Sequence, residues 1–370
     1  MLKEKHKSDK ILCFLVIFLI GYGLLVLASA SLIKSQKTFG ENYYYIKHQV
    51  LFGLLIGLGL FFLAFKVKYI FWRKISVLIF LASLILLILL FLPKIGLELG
   101  GAKRWIEIGN FVFQPSEFVK LGFIIYLATW LSRRTKDMES FSKTILPFVL
   151  LNVLLGVFFL LQPDMGSLLV IYACSFPLFL LAGAKFKHLA LIAVCGLVAV
   201  LLLVQFSDYR LSRWQSFFRP AEENSLTSGY QMRQAIIGIG SGGLLGKGYG
   251  QSFQKKGYLP EVIADSVFVV LVEELGFVGG IVLIFGFLVL SFLGFRISKR
   301  APDDFSQLLA AGITLLITYQ AFINIAAISG LIPLTGLTLP LVSYGSSSYV
   351  ITLFSLGILL NISSYTKELS

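Results

Sequence analysis

Ten apolar runs, each long enough to cross a lipid bilayer as a helix, dominate this chain and leave it few ways to fold. A spanning helix needs about 20 largely apolar residues. The runs fall at 11–33, 48–66, 75–93, 115–132, 145–162, 167–184, 188–206, 266–295, 307–329 and 341–362. Charged residues fill only 14% of the 370 positions and hydrophobic residues 57%, whereas a soluble domain carries about 25% charged residues. So little polar surface cannot cover a globule in water, and the mean hydropathy of +0.87 agrees. The expected fold class is all-α: a polytopic integral membrane protein of about ten transmembrane helices, forming one domain over residues 1–370. Ala28-Ser29-Ala30 imitates a signal-cleavage site, but the first run is long for a signal and nine more follow, so it reads as an uncleaved first helix.

The formal net charge of +13 would suit a nucleic-acid binder if the basic residues formed a patch. They sit instead in short clusters between apolar runs. With the N-terminus inside, the inner segments hold 18 Lys and Arg, and the short outer loops hold six: Lys34, Lys37, Lys47, Lys94, Lys103 and Arg104. Cytoplasmic loops carry such an excess, which places both termini in the cytoplasm and argues against a nucleic-acid partner. Three elaborate segments then lie outside: 94–116, the large loop 207–265 between the seventh and eighth helices, and 330–345. Cys13, Cys174 and Cys195 lie inside apolar runs, with neither metal-ligand spacing nor a disulfide framework. His6, His48 and His188 are scattered at segment ends, which argues against a His-based site.

Binding and catalytic residues concentrate on loops held by a rigid scaffold, so the outer side is the place to search. Pro115-Ser116-Glu117 suits a helix start, with Glu117 at the positive end of the helix dipole. Glu117 and Lys120 share one face at i,i+3 spacing, either as a pair facing a polar cavity or as an interfacial snorkel. Asp164, in Gln162-Pro163-Asp164-Met165-Gly166, is a helix cap or a secondary site residue. Arg210 and Arg213, flanked by Tyr209 and Trp214, suit a diphosphate, because guanidinium forks bind phosphate oxygens bidentately; anionic headgroups would suit them as well.

The run Gly238–Gly248 contains a formal G-x-G-x-x-G at Gly238, Gly240 and Gly243 but fits no strand–turn–helix unit. It also fails as a P-loop, with Ser241 and Gly248 in the wrong places. It reads as a backbone-dense loop that lets a ligand or a helix approach closely. Asp265 falls where the large loop meets the eighth helix. Half-desolvation at such a junction moves a carboxylate toward the range useful to a general base; the alternative is a helix cap. At least one of Glu273 and Glu274, deeper in the same helix, should face the protein interior. The stretch Gly330–Ser348, with two prolines, two early glycines and a cluster of hydroxyls including Ser343 and Tyr344, reads as broken or re-entrant. Such backbone survives at membrane depth only when buried in protein or lining a wet cavity.

Together these residues resemble the SEDS family (shape, elongation, division and sporulation), the FtsW, RodA and SpoVE group. The motifs that carry the resemblance are Gly101-Ala102-x-Arg104-Trp105, Gln114-Pro115-Ser116-Glu117-x-x-Lys120, Gln162-Pro163-Asp164-x-Gly166, Gly238–Gly248, Leu259-Pro260-Glu261, Glu273-Glu274-Leu275-Gly276 and Leu339-Pro340-x-x-Ser343-Tyr344-Gly345. They span nearly the whole chain. Gly336-Leu337-Thr338-Leu339-Pro340 and Tyr258-Leu259-Pro260-Glu261 look more like the FtsW branch than the RodA branch.

The resemblance implies a peptidoglycan glycosyltransferase of the bacterial cytoplasmic membrane, polymerising lipid II into glycan by inverting transfer with release of undecaprenyl diphosphate, for septal synthesis in cell division. It assigns catalysis to Asp265 together with Glu117 and Lys120. Lys103, Arg104, Asp164, Arg210, Arg213, Ser343 and Tyr344 are the candidate substrate-binding residues. The family has His-Thr before its aspartate and Phe after it, where this chain has Ile263-Ala264 and Ser266. Implied partners are lipid II, nascent glycan, a class B penicillin-binding protein and other division or elongation proteins. No cofactor is demanded, although a divalent cation, Mg2+ or Mn2+, could neutralise the leaving diphosphate. A lipid II flippase is the alternative, disfavoured because no inverted repeat is visible and the charged clusters gather at one surface. A scaffold recruiting division proteins is the third reading.

Overall fold

The computed structural model describes residues 8–92, 95–99, 102–108, 111–187 and 228–366. In chain order its elements are α1 (Lys10–Phe39), α2 (Tyr44–Lys66), α3 (Tyr69–Leu89), strands β1 (Gly96–Leu99), β2 (Ala102–Ile108) and β3 (Phe111–Phe113), then α4 (Pro115–Ser132), α5 (Phe141–Leu161), α6 (Met165–Leu181), α7 (Ser228–Ser241), α8 (Val267–Lys299), α9 (Asp304–Ile328) and α10 (Ser346–Ser363). Seven of the helices are long and apolar enough to cross a membrane: α1, α2, α3, α5, α8, α9 and α10. The expected seventh run, 188–206, lies outside the described residues.

Burial sorts these helices into two groups. In α1, α2, α3, α5 and α8 only 28–39% of the most apolar window is buried, against 83% in α9 and 89% in α10. The first group forms an outer ring that turns apolar side chains outward, while α9, α10 and the nearly wholly buried α4 form the centre. Starts are set locally. Asp9 caps α1 by accepting from the Ile11 and Leu12 amides, Pro115 stands in the first turn of α4, and Asp303 and Ser306 make a reciprocal capping box on α9.

One feature differs from the all-α expectation, and two helix starts differ from the expected bounds. Strands β1, β2 and β3 form a small antiparallel sheet in that order, with Gly96 opposite Ile106 and Ile106 opposite Phe113. Such short strands leave little trace in a sequence whose hydropathy is governed by helices. The third helix begins at Tyr69 rather than 75, because Asn361 Oδ1 accepts the Tyr69 amide at 3.0 Å and draws Arg73 and Lys74 into the helix. The last helix begins at Ser346 rather than 341, after a non-helical stretch in which Leu341 has φ 63°. That stretch is the broken segment expected from the sequence, and Leu337, Leu339, Leu341 and Val342 bury it in protein.

The glycine run settles against a helix. Gly276 interrupts α8 with φ 69° and ψ −170°, and the loop after α7 fits the break. The Lys247 and Gly248 amides donate to the Glu273 and Glu274 carbonyls at 3.0 and 3.1 Å, while the Phe277 and Val278 amides donate to the Gly243 and Leu244 carbonyls at 2.9 and 3.2 Å. Both glutamates face inward. Glu273 pairs with Lys247 at 2.8 Å and accepts from Ser252 Oγ at 2.6 Å. Glu274 pairs with Lys255 at 2.7 Å and accepts from Ser29 Oγ.

Candidate active site

Asp265 lies half-buried on the turn leading into α8, and three elements hold it. From α7, Gln231 Nε2 donates to Asp265 Oδ1 at 3.2 Å. From α9, Asn324 Nδ2 donates to the Asp265 carbonyl at 2.9 Å and the Leu337 carbonyl at 2.6 Å. From the broken segment, the Ser343 hydroxyl donates to the Ala264 carbonyl, and the Tyr344 amide donates to the Ile263 carbonyl at 2.8 Å. The helix cap is Ser266, not Asp265.

One turn inside α4, Lys120 Nζ donates to Glu117 Oε1 at 2.8 Å and to Gln320 Oε1 at 2.6 Å. Glu117 is 5% exposed and Lys120 1%. A snorkelling lysine keeps its ammonium in water, so this is an interior pair. Its burial is tolerable because Gln320 supplies a further hydrogen bond to the ammonium. Gln320 Nε2 in turn donates to the Thr338 carbonyl at 3.1 Å and lies 3.4 Å from Ser348 Oγ. Gln320 and Asn324 are four residues apart and therefore share a face of α9. That face joins the Glu117–Lys120 pair to the Asp265 turn.

The remaining sequence candidates divide. Arg104 Nε donates to the Gln162 carbonyl at 3.3 Å and its guanidinium also binds the Pro163 carbonyl, so it clamps the sheet to the turn before α6. Asp164 caps α6 by accepting from the Ser167 amide at 3.2 Å; its Oδ2 is buried without a hydrogen-bond partner among the described residues. Lys103 is exposed on β2. The hydroxyls of Ser343 and Tyr344 are engaged with the scaffold: Ser343 also accepts the Leu339 amide at 2.8 Å, and Tyr344 shares a 3.0 Å hydrogen bond with His48 Nδ1. Burial, with Tyr44 and Tyr45 nearby, pushes the Tyr344 phenol up from its ordinary value. His48, set aside at the level of sequence, thus belongs to the wall of the site. Arg210 and Arg213 lie outside the described residues.

Beside this site, an apolar groove of about 640 Å3 runs between α2, α3, α4 and α10, lined among others by Leu60, Trp72, Phe118, Val350 and Phe354. Phe113 and Ser347 also line it. Ser347 Oγ accepts the Gln114 amide at 3.0 Å, which brings the groove to the start of the helix that carries Glu117.

A family model described as "Cell cycle protein", covering FtsW, RodA and SpoVE, matches residues 10–368. The chain belongs to that family. It is 37% identical over 369 residues to stage V sporulation protein E of Bacillus subtilis, covering 99% of this chain and 100% of that one. It is 39% identical over 363 residues to a probable peptidoglycan glycosyltransferase FtsW of Trichlorobacter lovleyi, covering 97% and 94%. Among solved structures, it matches a chain of a peptidoglycan synthase complex that coordinates polymerization and crosslinking, with TM-score 0.80, 28% identity and coverage of 96% and 97%. The rod shape determining protein RodA of Thermus thermophilus matches with TM-score 0.70, 28% identity and 96% of both chains.

As a member of the FtsW, RodA and SpoVE family with seven long apolar helices among its described residues, the chain is a multi-pass protein of the cytoplasmic membrane. Gln231, Gln320 and Asn324 join the candidate site although no motif assigned them a role there. Two amides at i,i+4 in an otherwise apolar helix were the available signal for Gln320 and Asn324, because a polar side chain at membrane depth faces the protein interior. Gln231 carries no comparable signal, because polar residues are ordinary in the short helix α7.

Proposed function

We infer that this chain is a peptidoglycan glycosyltransferase that polymerises lipid II into glycan strands on the outer face of the cytoplasmic membrane, for septal synthesis. The observation that carries the reading is the single face of α9 on which Asn324 holds the Asp265 turn and Gln320 holds the buried Glu117–Lys120 pair. The reading takes the chain as one transmembrane domain of ten helices, with both termini cytoplasmic and the Asp265 end outside.

In this scheme Asp265 accepts the proton of the acceptor sugar hydroxyl while that oxygen attacks the anomeric carbon of the donor. The bond from this carbon to the diphosphate breaks, its electron pair leaves with undecaprenyl diphosphate, and the configuration inverts. Diphosphate departs readily once its developing charge is met by preorganised cations. Lys103, Arg210 and Arg213 are the proposed cations, with Arg104 and Asp164 shaping the turn before α6 and Ser343 and Tyr344 fixing the wall. Among the described residues no three His, Cys, Asp or Glu side chains gather, and Mg2+ or Mn2+ is kept here as a proposed aid to the leaving diphosphate. Such an ion would be held chiefly by the diphosphate with one or two carboxylates. The apolar groove would receive the prenyl chain. The synthase complex among its structural relatives supports a transpeptidase partner, a class B penicillin-binding protein.

The test is polymerisation of purified lipid II in detergent, with and without that partner. Wild-type protein should make polymer and Asp265→Asn should make none while remaining folded and partner-bound. Polymer from the Asn variant removes Asp265 as base. Lipid II movement between leaflets of reconstituted vesicles, with no polymer in detergent, would replace the enzyme by a flippase.

A further inference from the structure

Ser266 occupies the cap position of α8, where a serine oxygen ordinarily accepts a backbone amide of the first turn. Here the side chain accepts none. Its hydroxyl lies 3.2 Å from Asp265 Oδ1, and Gln231 Nε2 lies 2.9 Å from Ser266 Oγ and 3.2 Å from Asp265 Oδ1. The Gln231 amide is within donating distance of both oxygens, and the serine hydroxyl is within donating distance of the same carboxylate oxygen. Ser266 is fully buried, and Gln231 arrives from a separate helix, α7.

We propose that Gln231 and Ser266 are positioning residues that fix the Asp265 carboxylate and keep it ionised for proton abstraction. The proposal rests on the reading of Asp265 as the base. Two neutral donors on one oxygen favour the charged form of a carboxylate and oppose its protonation. They also remove rotation about its side-chain torsions, and a general base needs its oxygen held within hydrogen-bond reach of the proton it takes.

The acidic limb of kcat/KM for lipid II polymerisation reads the ionisation of an essential base in the free enzyme. Loss of a donor makes the carboxylate easier to protonate, so Ser266→Ala and Gln231→Met should each move that limb toward higher pH, by about half a unit or more. Ser266→Thr, which restores a hydroxyl, should return it. Gln231→Met keeps the side-chain length at a half-buried position, so it reports even if the buried Ser266 site tolerates no change. Among the described residues, charged and titratable groups on the surrounding elements are Tyr230 and Arg233 of α7, Glu261 and Tyr344 on the adjoining loops, His48 of α2 behind Tyr344, and the Glu117–Lys120 pair beyond Gln320. Neither substitution removes any of these groups. If Asp265→Asn is inactive while both donor variants keep the wild-type limb, losing only amplitude, the donors are structural and the proposal is overturned although the base stands. If Asp265→Asn remains active, base and proposal fall together.

Discussion

The backbones of Gly246 and Gly276 meet so closely that a Cβ on Gly276 would stand 2.3 Å from the Gly246 amide nitrogen. The contact locks the loop after α7 into the break of α8, and Asp265 lies between these two elements in sequence. At φ 69° and ψ −170°, Gly276 occupies backbone space that is essentially closed to other residues and costs them about 1–3 kcal/mol even without a clash. Gly276→Ala should therefore unfold at markedly lower temperature in detergent and lose polymerisation. Gly240→Ala, where nothing lies within 4 Å, should leave the unfolding temperature unchanged. Equal stability of the two variants would show that the interlock carries no energy.

Single neutralisation of the Glu117–Lys120 pair should be worse than removal of both charges. Glu117→Gln leaves a buried ammonium and Lys120→Met a buried carboxylate, and breaking a buried pair on one side costs about 3–5 kcal/mol. The double variant leaves no uncompensated charge. A double-mutant cycle on unfolding free energy should show the double change costing less than the sum of the singles. Additive losses would mean that the two charges do not interact, against the 2.8 Å separation.

Much of this architecture was legible in the sequence because membrane helices are coded by length and hydropathy. Runs such as 115–132 and 307–329 correspond closely to α4 and α9. The pair at Glu117 and Lys120 was legible too, since i,i+3 spacing needs no tertiary knowledge. The role of the glycine run was only half legible: close approach followed from missing side chains, but the partner, α8, is distant in sequence. Asp265 stands out in the sequence by its place at a loop–helix junction and by motif, yet the groups that hold it do not. Gln231, Asn324 and Ser343 reach it from three separate elements, and no local pattern records that convergence. The engagement of Arg104 by two carbonyls was hidden for the same reason.

Asn324 should be intolerant of charge. Its amide nitrogen serves the carbonyls of Asp265 and Leu337 together. Asn324→Leu leaves both acceptors without this donor, at about 1–3 kcal/mol each. Asn324→Asp sets a carboxylate against the two carbonyl oxygens. Both variants should lower kcat more than they raise KM, because they displace the proposed base, Asp265, rather than the lipid-binding surface. A rise in KM alone would place Asn324 at the substrate and not behind the catalytic turn.

The groove between α2, α3, α4 and α10 makes a prediction about substrate length. Its walls are almost wholly apolar, so it offers a prenyl chain contact area but little that would orient a sugar or a phosphate. Burying apolar surface is worth roughly 25 cal/mol per Å2, so each isoprene unit that enters should add affinity until the groove is full. Wild-type kcat/KM should therefore rise with prenyl length from farnesyl through heptaprenyl lipid II and then level off. Leu60→Trp and Val350→Phe, which fill the groove, should flatten that dependence by raising KM for the longer substrates about tenfold, equivalent to roughly 1.4 kcal/mol, while farnesyl lipid II is used as before. The shortest substrate serves as the internal control, since a distorted catalytic site would harm all lengths alike. Length dependence that survives both substitutions would place the prenyl chain elsewhere on the helical bundle.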